Sequence, residues 1–209
     1  LDLAGSAAPP ILVACALKRE CSALRRELTA HNQAGSPPAY RLDFLITGIG
    51  LSRTQASLLD HFSRTEPKPS LMVFTGTAGQ LDPSLAMGET VCPASWALST
   101  GEEYEVTNSV ADRLRSCGFE VSGRALTVRR PVLRASSRAQ CFKEAGARIC
   151  DMEAFGALKI ASLCGVPCIA PKVVSDTGDA SFLAFWAHFD RNMARLAEYL
   201  RAILPIVAG

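Results

Sequence analysis

The sequence predicts an α/β fold: one domain with a central twisted sheet, mixed but mostly parallel, flanked by helices. Three observations predict it. At 209 residues the chain is long enough for a single domain with a large core. Short apolar runs, β-branched in places, alternate with longer helix-like runs, the pattern of parallel strands joined by covering helices. Between residues 71 and 94 two strand-like runs follow one another with no helix between them, which makes the sheet mixed.

The elements follow in order. Residues 1–10, LDLAGSAAPP, form a disordered lead-in that ends at Pro9 and Pro10. They lack the basic start and long apolar stretch of a signal peptide. The domain runs over 11–209. Strands are expected at 11–17, 40–47, 71–75, 89–94, 120–128, 147–150 and 168–175, each short and apolar. Helices are expected at 18–29, 51–64, 109–117, 137–145, 152–164 and 181–204. The fifth helix stops at Gly165 with Pro167 just beyond, a normal helix end. No repeat, low-complexity segment or linker interrupts the domain.

Composition excludes several classes. Hydrophobic residues make up 48% and charged ones 20%, with a net charge of +2, so charge offers no argument for nucleic acid or an anionic membrane as partner. No run approaches the roughly 18 consecutive apolar residues of a membrane span. The eight cysteines, Cys15, Cys21, Cys92, Cys117, Cys141, Cys150, Cys164 and Cys168, make no C-x-x-C pair, and His31, His61 and His188 are scattered. That is poor metal-ligand spacing, so no metal is expected. Buried, reduced thiols in a cytoplasmic protein fit better.

One residue stands against its surroundings. On a wheel of about 100° per residue, the apolar residues of 152–164 fall nearly all the way round, as in a buried helix. Yet Glu153 shares a stripe with Ala157, Ile160 and Cys164. A helix start is one reading: acidic residues there gain up to about 1 kcal/mol from the helix dipole, and Asp151 suits an N-cap. Glu153 suits it less, because it sits within the helix and faces the core, where a carboxylate is costly unless something binds it.

Ligands of such folds sit beyond the carboxyl ends of the strands. There the sequence places Glu20 in ALKRE, the turn TGIG (47–50), the turn TGTAG (75–79), the Glu153 helix, and Ser175 with Asp176 in VSDTGD. Each has an ordinary reading beside a functional one. Gly48 and Gly50 lack the third glycine of a dinucleotide loop, Arg53 standing in its place, and equally make a tight turn. TGTAG is a sharp turn or a backbone nest for a polar ligand. Glu20 also fits a solvated helix with Lys18, Arg19 and Arg25, and Asp176 an Asx-turn.

Taken together and in this order, VACALKRE (13–20), TGIG (47–50), FTGTAGQLDPSLAMGETV (74–91), DMEAFGALKIASLCGVP (151–167) and VVSDTGD (173–179) resemble the purine nucleoside phosphorylase/nucleosidase superfamily. The likeness is nearest to its hydrolytic branch around methylthioadenosine/S-adenosylhomocysteine nucleosidase. It runs over most of residues 11 to 204, with Met152–Glu153 and Ser175–Asp176 as its specific part. The resemblance implies a nucleoside phosphorylase-like fold and cleavage of the N-glycosidic bond of a purine nucleoside, without cofactor, by a cytoplasmic homodimer. It implies that Asp176 protonates the purine at N7, and that Glu20 positions and deprotonates the attacking water. Glu153 would hold the ribose hydroxyls with Met152 packed on the sugar, beside Ser175 and the turn of Thr77, Ala78 and Gly79. Asp rather than Asn at 176 implies an amino-purine.

Hydrolysis is expected over phosphorolysis. The first loop offers Lys18 and Arg19, the turn after the third strand offers no basic residue, and Glu20 at the water position would repel phosphate. A phosphorylase, a nucleoside-binding protein without turnover and a dinucleotide-dependent oxidoreductase are the alternatives. The chain also departs from the nucleosidase pattern. The segment 96–107 is shorter than the loop that reaches a dimer partner's site, no aromatic matches the purine-stacking phenylalanine before the DME helix, and Lys172 replaces an arginine. The R-R-P-V run with the following DME resembles a branch associated with hopanoid biosynthesis, which implies an adenosylhopane-type substrate as an option. Arg124, Arg129, Arg130, Arg134 and Arg138 read as a solvated basic face, or as a contact for an anionic group on the substrate. Phe182, Phe185, Trp186 and Phe189 read as core packing of the last helix, or as a wall beside the substrate's 5′ end.

Overall fold

Strand β1 (Ile11–Cys15) is buried along its whole length, as a parallel strand with neighbours on both edges and helices on both faces must be. It pairs in parallel with β2 (Leu42–Ile46) on one side and β3 (Leu71–Gln80) on the other. The computed structural model describes residues 9–30, 40–177 and 182–208. All of the expected lead-in except Pro9 and Pro10 lies outside the described residues, as do His31, Ser181 and the Gly178–Asp179 end of VVSDTGD.

The remaining elements are α1 (Lys18–Ala30), α2 (Leu51–Arg64), β4 (Thr90–Val91), β5 (Ser95–Leu98), β6 (Glu103–Glu105), α3 (Asn108–Ser116), β7 (Arg124–Thr127), α4 (Ala135–Ala145), β8 (Ala147–Asp151), α5 (Ala154–Leu163), β9 (Cys168–Ile169), β10 (Lys172–Asp176) and α6 (Phe182–Ala208). The sheet runs β2-β1-β3-β8-β7-β5-β6, with β9 and β10 also on β3 and β4 on β10. Most pairs are parallel, while β3–β8, β5–β6 and β4–β10 are antiparallel, so the sheet is mixed as expected.

Several boundaries differ from the sequence reading, each for a local reason. The expected strand 168–175 is two strands, because Pro171 has no N–H for the ladder. The expected strand 120–128 shortens to β7, which begins just after Gly123 at φ +71°. Segment 96–107, read only as a shortened loop, contributes most of the β5–β6 hairpin. The largest difference lies in β3, which does not end in a turn at Thr75 but stays extended through Gln80. Its first half pairs with β1 and β9, and its second half with β10 and β8.

Trp96, Phe74, Phe155 and Phe189 fill the largest part of the core. Tyr104 and Phe155 meet edge to face at 5.2 Å. Five cysteines are buried and Cys117 is exposed; burial pushes the thiols of Cys92, Cys150 and Cys168 up to about 12, as expected of inert core cysteines. Among the described residues no helix is long and apolar enough to cross a membrane.

The close approach of α2 and α5 bears on the site. A Cβ added at Gly156 would lie 2.8 Å from Leu51 Cδ1 and 3.3 Å from the Leu51 carbonyl. Only glycine lets the first turns of these two helices touch. Gly156→Ala gains helix propensity but must push two backbones apart, and it is expected to lower the unfolding free energy by about 1–2 kcal/mol. Urea denaturation checks this; an unchanged or higher midpoint would show that the helices separate freely.

Candidate active site

The first candidate residue, Glu20, lies in the first turn of α1 and is 2% exposed. Its carboxylate is fixed by donors on two elements. The Thr77 N–H and hydroxyl both donate to Oε1 at 2.8 Å, and the Leu17 N–H donates to Oε2 at 3.2 Å. Beneath it runs Gly76, at φ +141°, where a Cβ would lie 2.9 Å from both carboxylate oxygens. Thr77 thus holds the Glu20 carboxylate, and Thr77, Ala78 and Gly79, read as a turn, are extended strand. Ala78 is buried and its carbonyl accepts from Ser175 Oγ at 3.1 Å. Gly79 is in register with Asp176 on one side and Cys150 on the other.

The second group gathers at the end of β8. Asp151 Oδ1 accepts from Thr127 Oγ1 at 2.8 Å and from the Glu153 and Ala154 N–H groups at 3.1 Å. Its Oδ2 accepts from the Ala154 N–H at 3.0 Å and lies 3.1 Å from Lys172 Nζ. Asp151 thus serves the free N–H groups that every helix start leaves over. Glu153 is not inside the helix as the wheel placed it. It is the N-cap residue of α5, at φ −137° and ψ −36°, and makes no side-chain cap of its own. Its carboxylate, 7% exposed, turns to α2 instead: the Gly50 N–H donates to Oε1 at 2.6 Å and the Met152 N–H to Oε2 at 3.2 Å. Met152 is half-buried beside it.

Burial first, and then the charge of Asp151, push the Glu153 carboxyl from the ordinary 4.5 up to about 7, against the pull of Lys172 and the two N–H donors. Lys172 is 2% exposed and its ammonium lies 4.3 Å from the Phe74 ring centre. Burial disfavours its charge, but Asp151, Glu153 and Glu20 outweigh that and hold its pKa above the ordinary value. All three carboxylates therefore share one buried cation.

The third group is Asp176 at the end of β10, preceded by buried Ser175, whose hydroxyl lies 3.1 Å from Asp176 Oδ2. Asp176 Oδ1 is paired with the Arg138 guanidinium. This corrects the reading of the arginine cluster. Arg124, Arg129, Arg130 and Arg134 are exposed, but Arg138 is 6% exposed and reaches the site from α4. The segment 75–79 carries no basic residue of its own, but two cations from elsewhere reach it: Arg138 packs over Gly79 and Lys172 is in register with Gly76. A signal for Arg138 existed: it shares an i, i+3, i+4, i+7 stripe with Cys141, Phe142 and Ala145, which pack on the core. Lys172 likewise interrupts an apolar strand.

Arg19 faces α6, where its Nη2 lies 3.8 Å from Asp190 Oδ1. Its guanidinium lies 4.7 Å from the Trp186 ring centre and 4.5 Å from that of Phe189. Phe189 is buried, in line with core packing of the last helix; the side chains of Phe182 and Phe185 lie outside the described residues. Among the described residues no group of three or more His, Cys, Asp or Glu is placed to hold a metal ion.

The fold has counterparts among known proteins. A family model of the phosphorylase superfamily matches residues 45–205. The chain belongs to the phosphorylase superfamily. The superfamily fold recurs in solved structures at low identity. 5′-Methylthioadenosine/S-adenosylhomocysteine nucleosidase from Neisseria meningitidis is 16% identical, with a TM-score of 0.79 over 94% of this chain and 98% of that one. The nucleosidase of the same name from Helicobacter pylori is 14% identical, with a TM-score of 0.77 over 95% and 99%. Futalosine hydrolase of Helicobacter pylori is 14% identical, with a TM-score of 0.76 over 94% and 97%. These are likenesses of fold. No curated protein matches the chain in sequence.

The raised Glu153 pKa has a consequence for this superfamily member's stability. Between pH 4.5 and about 7 the folded chain keeps a proton on Glu153 that the unfolded chain has lost, so this residue's contribution falls as pH rises through that window. Below it the burial penalty is absent, and above it complete. Glu153→Gln removes the titration. The variant's unfolding free energy is expected to gain on wild type by on the order of 3 kcal/mol across the window and then level off. Parallel denaturation curves from pH 4 to 8 measure the gap; a pH-independent gap would mean that Glu153 titrates normally.

Proposed function

We propose that the chain is a purine nucleosidase that hydrolyses the N-glycosidic bond of an adenine-type nucleoside. The observation that carries this reading is that Glu20 and Asp176 meet the second half of β3, at Thr77 and Gly79, while Glu153 and Glu20 both bear on the buried charge of Lys172. The family match supports glycosidic chemistry at the level of the superfamily, and the nucleosidases and futalosine hydrolase among the structural neighbours support a hydrolytic branch.

In this reading the bond between C1′ and the purine nitrogen breaks and its electron pair leaves with the base. Asp176 supplies a proton at N7, so that the base departs neutral. The sugar passes through an oxocarbenium-like state, which the Glu153 carboxylate stabilises while two ribose hydroxyls satisfy its free lone pairs. Water attacks C1′ and gives its proton to Glu20, whose orientation the Thr77 donors fix. A dimer in the cytoplasm belongs to the same proposal. Phosphate as nucleophile fits less well: Lys172 is engaged by Asp151, Arg138 by Asp176, and Arg19 by the aromatic rings of α6.

The test is release of free base from adenosine, methylthioadenosine, S-adenosylhomocysteine and inosine, with and without phosphate. Release without phosphate is expected, and base release only with phosphate would overturn hydrolysis. Asp176→Asn and Glu20→Gln are each expected to lower kcat/KM by about 10² to 10⁴, the usual range for a positioned acid or base. Met152→Ala should cost less than either.

Gly76→Ala offers an independent check on Glu20. The added methyl would displace the carboxylate, so the variant is expected to lose activity as Glu20→Gln does. Full activity in Gly76→Ala would remove Glu20 from the mechanism.

A further inference from the structure

Cys15 stands at the end of β1 and Cys21 in the first turn of α1. Both are buried, at 0% and 3% exposed, and their side chains hydrogen-bond to each other. Neither has a part in the glycosidic mechanism. Yet the pair closes around residues that bear on it. Leu17, between the two, donates its N–H to Glu20 Oε2 at 3.2 Å, and its carbonyl accepts from the Cys21 N–H at 3.1 Å. Glu20 immediately precedes Cys21, and the charges of Glu20 and Lys172 both act on Cys15. The two sulfurs thus lie beside the carboxylate proposed to activate water.

The two thiols are unequal. Cys15 donates and Cys21 accepts. That bond pulls the Cys21 thiol from the ordinary 9.0 down to about 7, against burial and Glu20 and with help from Arg25. The same bond, then burial, then Glu20 push the Cys15 thiol well up. Cys92, Cys150 and Cys168, pushed up to about 12, stay protonated. The thiolate is the nucleophile, so Cys21 is the attacking sulfur and Cys15, already in contact with it, the resolving one.

We propose that Cys15 and Cys21 form an oxidisable dithiol beside the active site, and that closing it to a disulfide draws Glu20 off Thr77 and stops turnover; the loss of turnover rests on the nucleosidase reading, the bond itself does not. The oxidant is a peroxide, little larger than the water that the mechanism brings to Glu20. The Cys21 thiolate attacks one peroxide oxygen, the O–O bond breaks and hydroxide leaves, which gives a sulfenic acid. The Cys15 sulfur then attacks the Cys21 sulfur, the S–S bond forms, the S–O bond breaks and water departs. Two thiols lose two electrons, and one hydrogen peroxide becomes two waters. A disulfide is about 2.05 Å long, shorter than a thiol–thiol hydrogen bond, so closure pulls the first turn of α1 towards β1. Leu17 and Glu20 lie inside the closed loop, while Thr77 stands outside it on β3. The two 2.8 Å bonds from Thr77 to Oε1 are therefore the ones that break.

Peptide mapping after hydrogen peroxide treatment tests this, with free thiols capped and no reductant present. Lys18 and Arg19 stand between the two cysteines, so trypsin separates them and a bridge appears as two joined peptides. The Cys15–Cys21 bridge is expected to form. Base release by the bridged protein should fall by about 10²-fold, the usual cost of misplacing a catalytic group by about 1 Å, and return with dithiothreitol. Cys15→Ala and Cys21→Ala are each expected to keep basal activity and to lose none on peroxide treatment; either decides if the other does not fold. Thiols that stay free in wild type overturn the proposal, as does a bridge that leaves activity intact. Equal inactivation of both variants by peroxide overturns it too, because another residue would then be the target. Wild type that releases no base would overturn the nucleosidase reading instead, and the mapped bridge would still decide the dithiol.

Discussion

The pair between Asp151 and Lys172 holds the rest of the site in place. Both side chains are 2% exposed, and their charged atoms lie 3.1 Å apart. Burying such a pair is at best near neutral unless the remaining valences are filled. Here they are. Asp151 takes a hydroxyl from Thr127 and two N–H groups from the start of α5, and the ammonium lies over Phe74. Because Asp151 serves the helix start, Glu153 need not cap it and faces Gly50 instead. Lys172 stands on the strand that ends at Asp176. The sugar end and the base end of the proposed site are therefore tied through one ion pair.

The second half of β3 is the other frame. Glycines in TGTAG invite the reading of a turn, yet the backbone stays extended because β10 and β8 supply hydrogen-bonding partners on both edges. The glycines answer a different need. The space a side chain would occupy at Gly76 holds the Glu20 carboxylate, and that at Gly79 holds the Arg138 guanidinium. A strand without side chains at these two points lets charged groups from α1 and α4 lie directly on its backbone.

Much of this was legible in the sequence, and the rest failed for identifiable reasons. The α/β class and most elements followed from alternating apolar runs, because parallel strands buried on both faces leave that imprint. Glu153 was visible as a carboxylate out of place, but the wheel placed it inside a helix that begins one residue later. Arg138 carried the same cue on α4 and went unread, because four neighbouring arginines made a solvated face the simpler account. The β3 extension was hidden because glycine-rich composition does not distinguish a turn from a strand that makes room for neighbours. The ion pairs were beyond reach: Lys172 and Asp151 are far apart in the chain, and only the pairing of β3, β8 and β10 brings them together.

The same charges bear on why water, and not phosphate, is the proposed nucleophile. A phosphate needs donors that are free to receive it. Three cations near the site are already engaged: Lys172 has Asp151, Arg138 has Asp176 and three carbonyls, and Arg19 is stacked on Trp186 and Phe189. An incoming dianion would have to break one of these pairs and then face Glu20, a repulsion of about 4 kcal/mol per unit charge at 4 Å in a partly screened site. Water brings no charge and needs only an acceptor, and Glu20 retains lone pairs beyond those engaged by Thr77 and Leu17. The arrangement that keeps the buried carboxylates compensated thus commits Lys172, Arg138 and Arg19 to other partners, and this favours a neutral nucleophile.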